Sequence, residues 1–208
     1  MRVHVYVLKH DSGFAPNPFH GWCTLACCKP AIRRCAERGD WVVGVTPAAD
    51  GNRLAYAMKV DETPSFAEYW RDSRFRAKRP AWTKSASRRQ KNGDNCYRPL
   101  GNNRFQQLRS VHFDRANDRE DVKAKTRDLR GKRVLVGRRF CYYGVNAQKW
   151  PSHLTFRRPA RFNRVIFREP ELSALLRHLD RLPQGIHGRP RDWRRGDACR
   201  REGRARCD

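Results

Sequence analysis

The chain has 208 residues, and its 46 Lys and Arg against 21 Asp and Glu give a formal charge of +25. That length suits one domain with a real core. No run approaches the ~20 consecutive apolar residues of a membrane span, and the opening residues alternate instead of forming a signal-peptide core. A cytoplasmic protein without a membrane partner is therefore expected. Charge of this size repels itself unless a polyanion meets it, and the excess is mostly Arg, whose planar guanidinium suits phosphate and stacks on bases. The expected partner is nucleic acid, DNA ahead of RNA.

In chain order, residues 3–8 alternate around valines and predict a half-buried first strand. Residues 13–18 carry one glycine and two prolines, a loop that presents Asn17, Phe19 and His20. Residues 24–37 predict a short helix broken at Pro30, with Ile32 inward and Lys29, Arg33 and Arg34 on the polar side. Residues 41–45 and 54–60 are apolar runs separated by turn residues, as in adjacent core strands. The spacing of Phe66, Tyr69 and Trp70 predicts a helix over 64–76. From about residue 71 to 109 the chain is basic and poor in aliphatics yet keeps Trp82, Tyr97 and Phe105, which reads as a long functional loop. Short strands are expected at 134–137, 140–143 and 164–167. Residues 170–182 form the clearest helix, with Leu172, Leu175, Leu176, Leu179 and Leu182 in one stripe. Beyond Pro183 the aliphatic pattern stops, so the expected division is a domain over 1–182 and a basic, disordered tail over 183–208.

Reactive residue types are densest at His20, Cys23, Cys27, Cys28 and Cys35. Their spacing lacks the second pair of closely spaced ligands that structural zinc needs, so no metal is expected and the cysteines read as reduced, mostly structural thiols. Cysteine catalysis would need a base, and His20 or His112 could serve only if the fold brings one to Cys23 or Cys28. Asp94, between Gly93 and Asn95, is the lone acid of interest in the basic loop, and a tight turn explains it more simply. No glycine-rich phosphate loop follows any strand, and no cofactor is implied. What remains is aromatic residues among cations, a mixture suited to single-stranded or flipped-out nucleotides. Trp41, Tyr56 and Trp70 read as packing, whereas Phe19, Trp22, Tyr97 and Tyr142 sit in or beside loops.

The run from Gly13 through Pro16, Asn17, Pro18, Phe19, His20 and Gly21, continuing through Cys23, Thr24 and Cys28 to Arg34, resembles the N-terminal signature of the type 2 nucleotide modification associated domain family. The resemblance continues through Gly39, Asp40 and Trp41, residues 54–58, residues 66–70 and residues 93–97, and covers most of 1–182. It implies a context of DNA base modification in phages or bacteria. The order of elements is also similar to EVE, ASCH and other PUA-like domains. That second resemblance implies an α/β (α+β) fold: a PUA-like small mixed β-barrel with short flanking helices and long basic loops, and an aromatic-lined pocket for a flipped base. The expectation is therefore a module that recognises a modified or flipped base. Phe19, Trp22 and Tyr97, joined by Tyr142, would stack, Asn17, His20 and Asn95 would bond the base edge, and Lys29, Arg33 and Arg34 would hold phosphates. Two alternatives stand beside it. One is an enzyme acting on a nucleotide or base through Cys23 or Cys28 with His20, or through Asp94. The other is a protein-interaction module of a modification or defence system.

Overall fold

The computed structural model describes residues 1–154, 167 and 169–193. The architecture is mixed α+β. Its centre is a five-stranded sheet of β1 (Val3–Val7), β3 (Trp41–Val45), β4 (Leu54–Lys59), β8 (Phe140–Tyr142) and β9 (Gly185–Ile186), in the order β1-β3-β4-β8-β9. β1 runs parallel to β3, with Val3 opposite Trp41, while β4 is antiparallel to both its neighbours. Two smaller ladders complete the β structure: β2 (Cys23–Leu25) with β7 (Leu135–Gly137), and the hairpin of β5 (Tyr97–Gly101) and β6 (Arg104–Gln107). Among the described residues these ladders do not close into a barrel. Sequence alternation could report the strands but not closure, which depends on how distant strands pair.

Alternation along the strands sends Val3, Val5, Trp41, Val43 and Cys141 to one face of the central sheet. There they pack with Leu175 and Leu179 of α5 (Glu171–Asp180). Tyr6, Val42, Met58 and Tyr142 point to the other face, towards Leu25, Leu135 and Ile32 of α1 (Pro30–Cys35). The approach there is close, since a Cβ on Gly44 would fall 2.4 Å from the Tyr56 ring. A third apolar cluster gathers Phe66 and Tyr69 of α2 (Phe66–Arg71) with Phe75, Cys27, Cys96, Tyr97 and Val136. Ser65 caps α2 in a reciprocal box with Glu68, and Asp121 caps α4 (Val122–Leu129), accepting from the Ala124 N–H.

Three expectations are corrected. Residues 23–25 pair with β7 as a strand, so the helix expected from residue 24 begins only at Pro30, where proline suits the first turn. The basic stretch 71–109 is not one loop: it holds a 3-10 turn (Ser73–Lys78), the short helix α3 (Arg88–Lys91) and the whole β5-β6 hairpin. Residues 183–193, expected to start a disordered tail, are held in the fold: β9 pairs with β8, Asp192 N–H donates to Asp11 O, and Trp193 is buried. Backbone pairing and one tryptophan hold this segment, and neither leaves an aliphatic period in the sequence. The strand expected at 164–167 and the remainder of the tail lie outside the described residues. Among the described residues no helix is long and apolar enough to cross a membrane.

Candidate active site

Immediately after β2 the chain makes a turn in which Cys28 (φ 58°) and Lys29 (φ 40°) both take the left-handed conformation. Non-glycine residues adopt it at a cost of about 1–2 kcal/mol each, so other contacts must impose it. Two do. The Cys28 N–H donates to Asp128 Oδ1 at 2.8 Å, and Arg33 Nε donates to the Cys28 carbonyl at 2.8 Å. Arg33 is fully buried. Its guanidinium also donates to the Arg133 carbonyl at 3.0 Å and to the Asp128 carbonyl, tying the turn to the end of α4 and the approach to β7. The room for it comes from Gly131, where a Cβ would stand 2.2 Å from Arg33 Cζ.

Asp128, near the end of α4 and wholly buried, also accepts from the Tyr97 hydroxyl at 2.8 Å. Its Oδ2 lies 2.6 Å from His112 Nδ1, and since a carboxylate only accepts, Nδ1 carries the proton. The other ring nitrogen, Nε2, lies 3.6 Å from Cys28 Sγ. Gln107 Nε2 donates to the His112 carbonyl at 3.0 Å, and the Phe14 ring meets the imidazole edge-on at 4.8 Å, so the ring is held on several sides. Arg127 Nη2 is 3.3 Å from both imidazole nitrogens, which places the guanidinium over the ring face and not on one lone pair.

Burial by itself would lower the His112 pKa. The hydrogen bonds and charges of Asp128 and Cys28 overcome that and raise it to about 10. Burial likewise opposes ionisation of Asp128, but bonds from His112, the Cys28 N–H and Tyr97 outweigh it and hold the carboxyl below its usual range. The result is a Cys-His-Asp relay whose sulfur is half-buried and opens on a cleft of about 380 Å³, with Lys9, His10, Lys29 and Arg127 in its walls. Cys27, His112 and Asp128 also bring potential metal-ligand atoms within 4.8 Å of one another. The Asp128 oxygens are already occupied by donors and burial pushes the Cys27 thiol up, so the group reads as a hydrogen-bonded cluster and not a metal centre.

The residues expected to read a base lie elsewhere. Tyr97 is 1% exposed, and its hydroxyl serves Asp128. Asn17, buried, donates to the Asn92 carbonyl at 2.9 Å and accepts from Lys78 Nζ at 2.7 Å. Lys78, also buried and with its pKa lowered to about 8 by burial, donates further to the carbonyls of Asn17 and Trp22. Asn95 donates to the carbonyls of Tyr69 and Phe75. Asp94 accepts from Thr24 Oγ1 and the Tyr69 hydroxyl, each at 2.7 Å, with no exposed surface, and burial raises its pKa. Phe19 stacks on Trp193 at 5.6 Å, and Tyr142 donates to Asp11. These groups join loops, and their polar atoms are spent on internal partners. Of the remainder, His20 and Arg34 are exposed, Trp22 is half-buried, and Lys29 lines the cleft beside Cys28. Cys23, whose thiol burial pushes up to about 12, is 0% exposed and unsuited to attack.

Sequence reasoning reached His112 only conditionally and did not reach Asp128. Asp128 is one of 21 acidic residues and lies 100 positions from Cys28, so no local spacing could single it out. No curated protein and no solved structure matches the chain. The description nucleotide modification associated domain 2 matches residues 1–197, and the chain belongs to that family.

Proposed function

We propose that the protein is a thiol-dependent enzyme of a nucleotide modification system, with Cys28 as nucleophile, His112 as proton carrier and Asp128 as the carboxylate that orients it. One observation carries this reading: the unbroken line from Asp128 Oδ2 to His112 Nδ1 at 2.6 Å and from His112 Nε2 to Cys28 Sγ at 3.6 Å, ending at a cleft. The substrate class, a nucleotide or its base, comes from the family. His112 keeps a proton well above neutral pH, so Nε2 holds the proton that Cys28 gives up. The sulfur then attacks an acyl-type carbon and a C–S bond forms. As the carbon's bond to nitrogen or oxygen breaks, the imidazolium gives its proton to the departing atom. Water then adds to that carbon as His112 takes its proton, the C–S bond breaks to release the product, and the proton passes from His112 to the sulfur.

Cys35 ends the same helix that Cys28 precedes and is more exposed, so it is an internal control. Iodoacetamide at pH 6–7, followed by peptide mass spectrometry, should label Cys28 at least ~10-fold faster than Cys35, because only Cys28 has an imidazole nitrogen 3.6 Å from its sulfur. His112→Gln should abolish the difference. Cys35 reacting as fast as Cys28 in the wild type would remove the basis of the proposal.

A second reading, a non-catalytic reader of modified or flipped bases in DNA, is favoured by Trp22. Arg74 stands 5.0 Å and Arg138 6.0 Å from the centre of its ring, which lines another cleft of about 830 Å³. On that reading Trp22→Ala should weaken binding of a modified oligonucleotide by ~1–3 kcal/mol with an unchanged salt slope. Equal loss for modified and unmodified DNA would count against it.

A further inference from the structure

The cleft at Cys28 carries a charge pattern that the relay does not explain. Lys9, His10, Lys29 and Arg127 all line it, and no carboxylate does. Among the described residues neither Lys9 nor Lys29 has a carboxylate partner, although Arg74 alone takes two. Lys29 is recessed. Its Nζ stands 4.6 Å from the Tyr6 ring, and burial together with the field of Lys9 makes it harder to keep protonated. Holding a partly desolvated ammonium beside a second one is unfavourable unless an anion joins them. Arg127, whose Nε lies 3.5 Å from Asp128 Oδ1, adds a guanidinium fixed over His112. The volume, about 380 Å³, lies within the ~300–1,000 Å³ of small-molecule sites, and Leu8, Ala15 and Pro30 supply an apolar wall.

We infer that the cleft binds a phosphate group through Lys29, Lys9 and Arg127, so that the molecule presented to Cys28 is a phosphorylated nucleotide. The phosphate is either that of a free nucleoside monophosphate or one in a DNA strand whose base enters the cleft. This rests on Cys28 being the nucleophile only for the word substrate, because phosphate binding itself can be measured without any reaction. A phosphate monoester carries about −1.5 to −2 charges at neutral pH, which matches several converging cations better than a carboxylate does.

The test is binding of dTMP, thymidine, inorganic phosphate and a short oligothymidylate without terminal phosphates. Calorimetry or amide chemical shifts would be read on the wild type, Lys29→Gln, and Arg104→Gln on the exposed β6 strand as a charge-matched control. The same series on Cys28→Ser separates binding from thiol reactivity. dTMP should bind at least tenfold more tightly than thymidine, Lys29→Gln should lose most of that preference, and Arg104→Gln should keep it. A preference for dTMP over the oligomer assigns a free nucleotide, and the reverse assigns a strand phosphate; either carries the inference. Equal binding of dTMP and thymidine, or equal losses in Lys29→Gln and Arg104→Gln, overturns it. If Cys28 labels no faster than Cys35 while the dTMP preference persists in Cys28→Ser, the thiol-enzyme reading fails and the phosphate site stands.

Discussion

Asp128→Asn tests the relay through stability, with no substrate needed. The change keeps the size of the side chain but replaces one acceptor oxygen with a donor, facing either the Cys28 N–H or the Tyr97 hydroxyl and His112 Nδ1. The His112 pKa is about 10 in the folded protein and ~6.5 unfolded. Because the folded value is the higher, its stabilisation is complete below about pH 6.5 and is lost as the pH climbs through about 10. At ~1.4 kcal/mol per pKa unit this amounts to about 4–5 kcal/mol below pH 6, about 3 at pH 8 and nothing by pH 11. In the variant, burial acts on His112 without the opposing carboxylate, so its pKa falls and this contribution goes. Denaturant unfolding of both proteins at pH 6, 8 and 10.5 should show a stability gap that is widest at pH 6 and shrinks by several kcal/mol at the alkaline end. Other titrating groups, Lys78 among them, are shared by the two proteins and cancel in the difference. Should the variant be unfolded at pH 6, an NMR titration of His112 in the wild type reads the same coupling. A gap independent of pH, or a His112 that titrates near 6.5, would refute the reasoning.

Tyr97→Phe keeps the packed ring but removes a hydroxyl 2.8 Å from Asp128, and should cost about 1.5–3 kcal/mol in denaturant unfolding while raising the Asp128 pKa. Gly131→Ala drives a methyl into the Arg33 guanidinium and should cost about 1–3 kcal/mol by thermal unfolding, together with slower Cys28 alkylation, because Arg33 holds the Cys28 carbonyl. Lys78→Met leaves Asn17 Oδ1 and the carbonyls of Asn17 and Trp22 without their donor; a loss of about 3–5 kcal/mol is expected, with the relative alkylation rates of Cys28 and Cys35 unchanged.

Much of the sheet was legible, and little of the site was. β1, β3 and β4 follow from valine alternation, and α5 from its leucine stripe, because apolar periodicity records which face is buried. β2 escaped because three residues are too short for any period and its pairing partner is more than 100 positions away. α4 escaped because its buried residues are Ala124 and Asp128, so it carries almost no apolar stripe. Tyr97, Asn17 and Asn95 misled for a related reason: polar and aromatic residues in loops suggest exposure, yet here they satisfy buried backbone groups that loops themselves create.

Two buried carboxylates distinguish a structural cluster from a chemical one. Asp94 and Asp128 are each without exposed surface and each accepts a tyrosine hydroxyl; Asp94 also accepts from Thr24 Oγ1, and Asp128 from the Cys28 N–H and His112 Nδ1. At Asp94 burial wins and the carboxyl is harder to ionise; the nearby cation, Lys78, spends its hydrogen bonds on Asn17 and Trp22. At Asp128 the donors win, and one of them is an imidazole whose other nitrogen faces a sulfur at the cleft wall. The first arrangement ties the loop at Asp94 to β2 and α2, and its stabilisation ends there. The second turns the same kind of buried anion into a lever on His112, raising its proton affinity where a thiol can use it. Cys28 and Lys29, both left-handed, lie at that second cluster, and among the described residues neither Lys29 nor its neighbour Lys9 has a carboxylate partner. Left-handed backbone, an oriented histidine and positive charge converge on one cleft, and the proposed chemistry on an anionic nucleotide would use all three.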